Sequence, residues 1–232
     1  MRKNIIKLIL AVFLITYGEH YYYLGLNKLG VNLSDSYLTE SIIILIFYVL
    51  VFILIYFLYR EELSRDFRRF KRNIFPNILM SIVFFVVVTL LIAVANYIGN
   101  TLAISFKVNY VGLNNQNIFN ESFDIDFVFN LLKNILIIPS IKCIIWVLGI
   151  SQIISSKNKS IIISGLFGAA IAVISTKTSV IYMLINGIPY FTLYASLAYI
   201  YRKYNTNIWF SIISALFYSL FGSVLLIRLF GS

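Results

Sequence analysis

The 232 residues are 60% hydrophobic and 17% aromatic but only 12% charged, with a net charge of +10. A soluble domain of this size carries roughly twice that charged fraction, and the apolar runs recur along the whole length, so no separate soluble domain fits between them. One cysteine, Cys143, excludes an internal disulfide; the basic excess is what cytoplasmic loops of membrane proteins carry, and it does not call for nucleic acid.

The composition predicts an all-α polytopic membrane protein, residues 1–232 forming one membrane domain of about seven transmembrane helices (six to eight). A span needs about 20 mostly apolar residues. In chain order the expected helices are 5–26, 41–59, 77–97 (with a possible extension to 104), 127–150, 160–175, 180–201 and 208–230. The fifth is short and could be re-entrant. Arg2, Lys3 and Lys7 ahead of the first run resemble a signal-peptide start. The run continues into Tyr17 and Tyr21 to Tyr23 with no small-residue cleavage site, so the helix is expected to be retained.

Lysine and arginine counts set the orientation. With the N-terminus in the cytoplasm, the inner segments hold Arg2, Lys3, Lys7, Arg60, Arg65, Arg68, Arg69, Lys71, Arg72, Lys157, Lys159, Arg202 and Lys203, while the outer ones hold only Lys28, Lys107, Lys177 and Arg228. Thirteen against four predicts a cytoplasmic N-terminus. Heavy use of Asn, Ile and Lys points to an AT-rich bacterial genome and hence to a bacterial plasma membrane.

Two connections stand out. In the inner loop 60–73, Leu63, Phe67, Phe70 and Ile74 fall at helical spacing among Arg60, Arg65, Arg68, Arg69, Lys71 and Arg72. That pattern predicts an amphipathic helix on an anionic inner leaflet. The outer loop 101–126 is polar and contains Asn114, Asn115, Asn117 and Asn120.

Chemistry-bearing groups are few. There is no phosphate-cradling glycine loop and no HExxH, and His20 is the only histidine. No metal site or cofactor is expected. Glu19 and His20, adjacent on a helix, point about 100° apart and read as interfacial polar residues. Lys142, near the middle of the fourth helix, is too deep to reach either interface, so it is expected to face the bundle interior. Lys133 lies closer to the outer interface. In the sixth helix Asn186, Gly187 and Pro189 predict a kink. Gly165, Gly168, Ala169 and Ala170 in the fifth form a small-residue face suited to close helix packing.

Taken in order, the features over 130–220 resemble the core of the CPBP family, the CAAX protease and bacteriocin-processing (Abi) membrane proteins. Pro139 stands for the family's motif proline, Trp146 for its aromatic, Ser164 to Phe167 for the start of its second motif, and Tyr201-Arg202-Lys203 through Asn207-Ile208-Trp209 for its last connection. The polar positions differ. Lys142 and Cys143 stand where the glutamate pair would be, and Val147 stands for the arginine. Ile171 and Ser214 replace the two histidines, and Tyr218 takes the final polar position. The pair Glu61 and Glu62 with Arg65 is one residue short of the family's EExxxR and sits in a charged loop. The resemblance implies the family's scaffold without its water-activating groups: a pseudoprotease in which Lys142, Cys143, Ser214 and Tyr218 converge in the former catalytic cavity. The function it implies is a scaffold or regulator of a membrane or cell-envelope protein, or bacteriocin self-immunity. A small transporter and an atypical Ser–Lys peptidase are the other readings. The expected partners are the lipid bilayer and such a protein, with no nucleic acid.

Overall fold

The computed structural model describes residues 2–28, 37–113, 125–174 and 179–222. Asn114, Asn115, Asn117 and Asn120, the basic residues Lys177 and Arg228, and residues 223–230 of the last predicted helix lie outside them.

All described regular structure is helical. Helix α1 is Arg2–Lys28, α2 Tyr37–Leu58, α3 Arg60–Lys71 and α4 Ile74–Phe106. Helix α5 runs from Ile125 to Ile153. In it the α-helical segments Ile125–Leu131, Ile138–Cys143 and Ile150–Ile153 alternate with π-helical Leu132–Ile137 and Ile144–Gly149. Helix α6 is Lys157–Ile174, α7 is Val180–Lys203, and α8, Ile208–Phe217, continues into a π-helical turn, Tyr218–Gly222. Five of these, α1, α2, α4, α5 and α7, are long and apolar enough to cross a membrane. That is fewer than the expected seven. Helix α6 begins with Lys157, Asn158 and Lys159, which shortens its apolar length, and α8 is described only to Gly222.

The bundle is centred on α5, whose residues Ile144 to Leu148 are almost completely buried; α1, α2, α6, α7 and α8 pack on it, and α4 packs on α7 and α8. Helix α1 is peripheral, with Ala11 its one buried residue. The most extensive helix pair is α6 with α7. Its close approach rests on glycine: a Cβ on Gly168 would lie 2.0 Å from the ring of Tyr194, and one on Gly165 would lie 2.7 Å from the ring of Phe191. The small-residue face expected on α6 is thus the seat of two aromatic side chains from α7.

Helix α4 spans 33 residues, or about 50 Å at 1.5 Å per residue. It carries on past 97 and two residues beyond the expected extension to 104, so residues 101–106 are helix rather than the start of a loop. Lys107 ends it in the left-handed conformation, φ 53°. Its N–H donates to the Ile104 carbonyl, and that of Val108 donates to the Ala103 carbonyl, which satisfies the last turn. The chain then folds back over the bundle as a strap, 107–113. Asn186 of α7 holds it: Oδ1 accepts the N–H groups of Val111 (2.8 Å) and Gly112 (3.3 Å), and Nδ2 donates to the Asn109 carbonyl (3.2 Å). Asn96 of α4 accepts the Tyr110 hydroxyl (2.8 Å) and the Leu113 N–H (3.3 Å). Gly99 makes room for the Tyr110 ring, which a Cβ would meet at 2.6 Å.

The amphipathic helix expected over 60–73 is α3, and its basic residues Arg60, Arg65, Arg68, Arg69, Lys71 and Arg72 are exposed as the pattern requires. The apolar set divides, however. Leu63 and Phe70 are buried, whereas Phe67 and Ile74 are 42% and 50% exposed. The helix is docked on protein along one edge: the Trp209 ring N–H donates to the Leu63 carbonyl (3.1 Å), and Phe70 packs on Phe210 with ring centroids 5.2 Å apart. Burying Leu63 and Phe70 contributes roughly 2 kcal/mol each.

Candidate functional site

The site that sequence reasoning points to lies on α5. Pro139 brings no N–H to the helix ladder, and the segment around it is wound wide. The Ile138 N–H reaches the Lys133 carbonyl, five residues back, and the Ser140 hydroxyl donates to the Leu136 carbonyl at 2.6 Å. A second wide stretch follows at Ile144–Gly149. The short α-helical segment carrying Lys142 and Cys143 is therefore bracketed by two π turns, a geometry that often accompanies functional positions.

Cys143 and Val147 are fully buried, and Ile171 of α6 packs against the same core. Tyr194 of α7, seated over Gly168, lies within electrostatic reach of Cys143, Tyr190 and Tyr218. Tyr218 in turn lies within reach of Tyr190 and of Tyr110 on the strap. Four tyrosines from three parts of the chain, Tyr110, Tyr190, Tyr194 and Tyr218, thus lie in one another's electrostatic neighbourhood, with no hydrogen bond between Cys143 and Tyr218. Among the described residues the hydroxyls of Tyr190, Tyr194 and Tyr218 donate no hydrogen bond, while that of Tyr110 is engaged by Asn96. Tyr110, Tyr190 and Tyr194 escaped the sequence reading. The one available signal was the four-residue spacing of Tyr190 and Tyr194 just after Pro189, which sets both on one helix face.

Ser214 and Lys142 do not form a pair. The buried Ser214 hydroxyl is shared between the carbonyls of Phe210 (2.7 Å), one turn back, and Ser81 of α4 (3.0 Å). It pins α8 to α4. Lys142 lies on the segment that packs against α8 and is partly buried. Among the described residues it has neither an ion-pair nor a hydrogen-bond partner. The described residues also contain no cluster of three or more His, Cys, Asp or Glu side chains able to hold a metal.

A second polar junction sits at the other end of the same helices. Asp66 of α3 is 0% exposed; its Oδ2 accepts the Ile208 N–H (3.3 Å) at the start of α8, and Oδ1 accepts the Arg65 Nε–H (3.1 Å). The Asn207 amide donates to the Asp66 carbonyl, and its own Oδ1 caps α8 through the Trp209 N–H, both at 3.1 Å. Burial pushes the Asp66 carboxyl above its ordinary value, and the Ile208 N–H, Arg65 and Arg69 pull it partly back. Arg202, at the end of α7, donates to Ser160 Oγ (2.9 Å) and to the carbonyls of Ser151 (3.0 Å) and Ile154. Glu62 is held by Lys7 of α1 at 3.6 Å. The stretch 201–209, which carries the closest resemblance to the family connection, is thus a structural clasp joining α3, α5, α6 and α8.

Compared with known proteins, the chain matches no family model, no curated protein and no solved structure.

Proposed function

We propose that this protein is a non-catalytic, CPBP-like membrane scaffold that acts by binding another membrane or cell-envelope protein, as a regulator or as a self-immunity factor against a bacteriocin. In this reading the N-terminus is cytoplasmic and the chain crosses a bacterial plasma membrane about seven times, α6 and α8 completing the set begun by the five long apolar helices.

The observation that carries the reading is the state of the motif positions. Hydrolysis of a peptide needs a base to activate water and a donor for the developing oxyanion. Here Cys143 and Val147 are packed in the core, Ile171 lies against it, and the Ser214 hydroxyl is engaged with backbone carbonyls. The Ser–Lys peptidase reading loses its nucleophile to the same two bonds.

A partner surface is available on α1. Phe13, Tyr17 and Tyr21, four residues apart, form an exposed ladder with ring centroids 5.8 Å (Phe13–Tyr17) and 5.9 Å (Phe13–Tyr21) apart. Beside it a groove of about 500 Å³ runs between α1 and α2, lined by Gly18, Phe47, Leu50 and Leu54 among others. A transmembrane helix of the partner would lie in such a groove. The test places a photo-crosslinking amino acid at Tyr17 in the full chain in native membranes. A single cross-linked protein, identified by mass spectrometry and lost in Gly18→Leu, is expected. Cross-links to lipid alone would overturn the reading.

A further inference from the structure

Between α4 and α7, on the outside of the bundle, runs a groove of about 420 Å³. Its walls are Val83, Val87 and Leu91 on one side and Ala195 and Tyr199 on the other, and Lys203 closes one end. Val83 to Leu91 spans about 12 Å of helix, close to half the roughly 30 Å hydrocarbon core. No acidic side chain lines it.

The charged end is built from two helices. The ammonium of Lys203 lies 5.6 Å from the Tyr199 ring centroid, and that of Lys157, the first residue of α6, lies 5.7 Å from it. Tyr199 therefore gathers two cations at the mouth of an apolar trough. Neither lysine is ion-paired among the described residues. Arg202 beside them is already engaged by Ser151, Ile154 and Ser160, so the uncompensated charge at this mouth belongs to Lys157 and Lys203.

We infer that this groove is a binding site for one anionic phospholipid, with an acyl chain along Val83, Val87 and Leu91 and its phosphate between Lys203 and Lys157 over Tyr199. An apolar trough of half-bilayer length, ending in two cations at the level of the headgroups, matches a phospholipid in both shape and charge. A partner helix would leave both ammoniums uncompensated. By the charge asymmetry of the loops, the leaflet is the cytoplasmic one.

The experiment uses the full chain, delipidated in mild detergent, and native mass spectrometry with phosphatidylglycerol or phosphatidylcholine of identical acyl chains. One phosphatidylglycerol per chain is expected, bound at least roughly tenfold more tightly than phosphatidylcholine. Lys157→Ala with Lys203→Ala should erase that preference. Val87→Trp, which keeps both lysines and fills the trough, should weaken both lipids. Equal binding of the two lipids by the unaltered chain, or an unchanged preference in the double variant, would overturn the inference. So would a photo-crosslinker at Val87 that captures polypeptide, whether a second copy or another membrane protein, instead of lipid. Binding in micelles does not depend on which way the chain crosses the bilayer. Labelling of a cysteine at position 203 from one side of sealed vesicles reports the leaflet separately.

Discussion

The carboxylate of Asp66, fully buried on α3, accepts the backbone N–H of Ile208 at the first turn of α8, 142 residues further along the chain. It does for α8 what an N-cap acid does locally, placing negative charge against the positive end of the helix. Because burial raises its pKa above the ordinary value of 3.8, the folded protein holds this proton more tightly than the unfolded chain. Its contribution to stability is therefore fully present below the unfolded value and falls as pH rises towards the raised one. The melting temperature in detergent should decline over that window, and Asp66→Asn, which keeps an acceptor for Ile208, should flatten the decline. Matching pH slopes for the two proteins would refute the assignment. Asp66→Ala, which orphans the Ile208 N–H, should cost about 1–3 kcal/mol at low pH, where the contribution of Asp66 is fully present.

Gly168 sits where a Cβ would come within 2.0 Å of the Tyr194 ring, while a Cβ on Gly25 would meet nothing within 4 Å. Gly168→Ala should destabilise the fold by about 1–3 kcal/mol through overpacking. Gly25→Ala on exposed α1 should be neutral or stabilise by about 0.5–1 kcal/mol, because glycine is a poor helix former. Thermal melting of the two variants side by side checks the α6–α7 contact, and equal behaviour would contradict it.

Asn186 supplies an acceptor to two strap amides and a donor to a third residue. Asn186→Leu leaves these groups unpaired at about 1–3 kcal/mol for each buried one. Hydrogen exchange at Val111 and Gly112 should accelerate at least about tenfold, with the α6–α7 pair unaffected. Unchanged exchange would mean the strap is held by its side chains alone.

Lys142 has no acceptor or counter-charge among the described residues. A lone cation inside a bundle is a net cost, so Lys142→Met, of similar length, should raise the melting temperature, by about 1–3 kcal/mol of stability. A drop would reveal an anionic partner at this position.

The features that could be read from the chain alone are those that depend on neighbours in sequence. Unbroken apolar length revealed α1, α2, α4, α5 and α7, and the spacing of Leu63, Phe67, Phe70 and Ile74 pointed to the helix α3. The same pattern reads as a face for the membrane surface, and it gives no hint that Leu63 and Phe70 dock on α8 or that Asp66 is buried. Burying Asp66 makes sense only once Asn207 and Ile208 are beside it. The site behaved likewise. Lys142 stood out as a charge in an apolar run, and Cys143 and Tyr218 only through the family resemblance; the small residues of α6 announced a close helix contact, but nothing local said that Tyr194 would rest over Gly168. The sequence leaves the end of α4 open between 97 and 104, and the helix runs to Phe106; Asn96 within it serves the strap, a role that no local pattern shows.

The Arg202 clasp bears on how the protein is made. The carbonyls of Ser151 and Ile154 and the Ser160 hydroxyl find their donor 51, 48 and 42 residues downstream. As the chain leaves the ribosome, the turn between α5 and α6 is synthesised long before the guanidinium that closes it. Until α7 has been inserted and its end has come back to the same face, water must serve those groups. The turn between α5 and α6 therefore stays an unfinished joint until then, and truncation before residue 202 should yield a product that membrane quality-control proteases recognise even though every earlier helix is present.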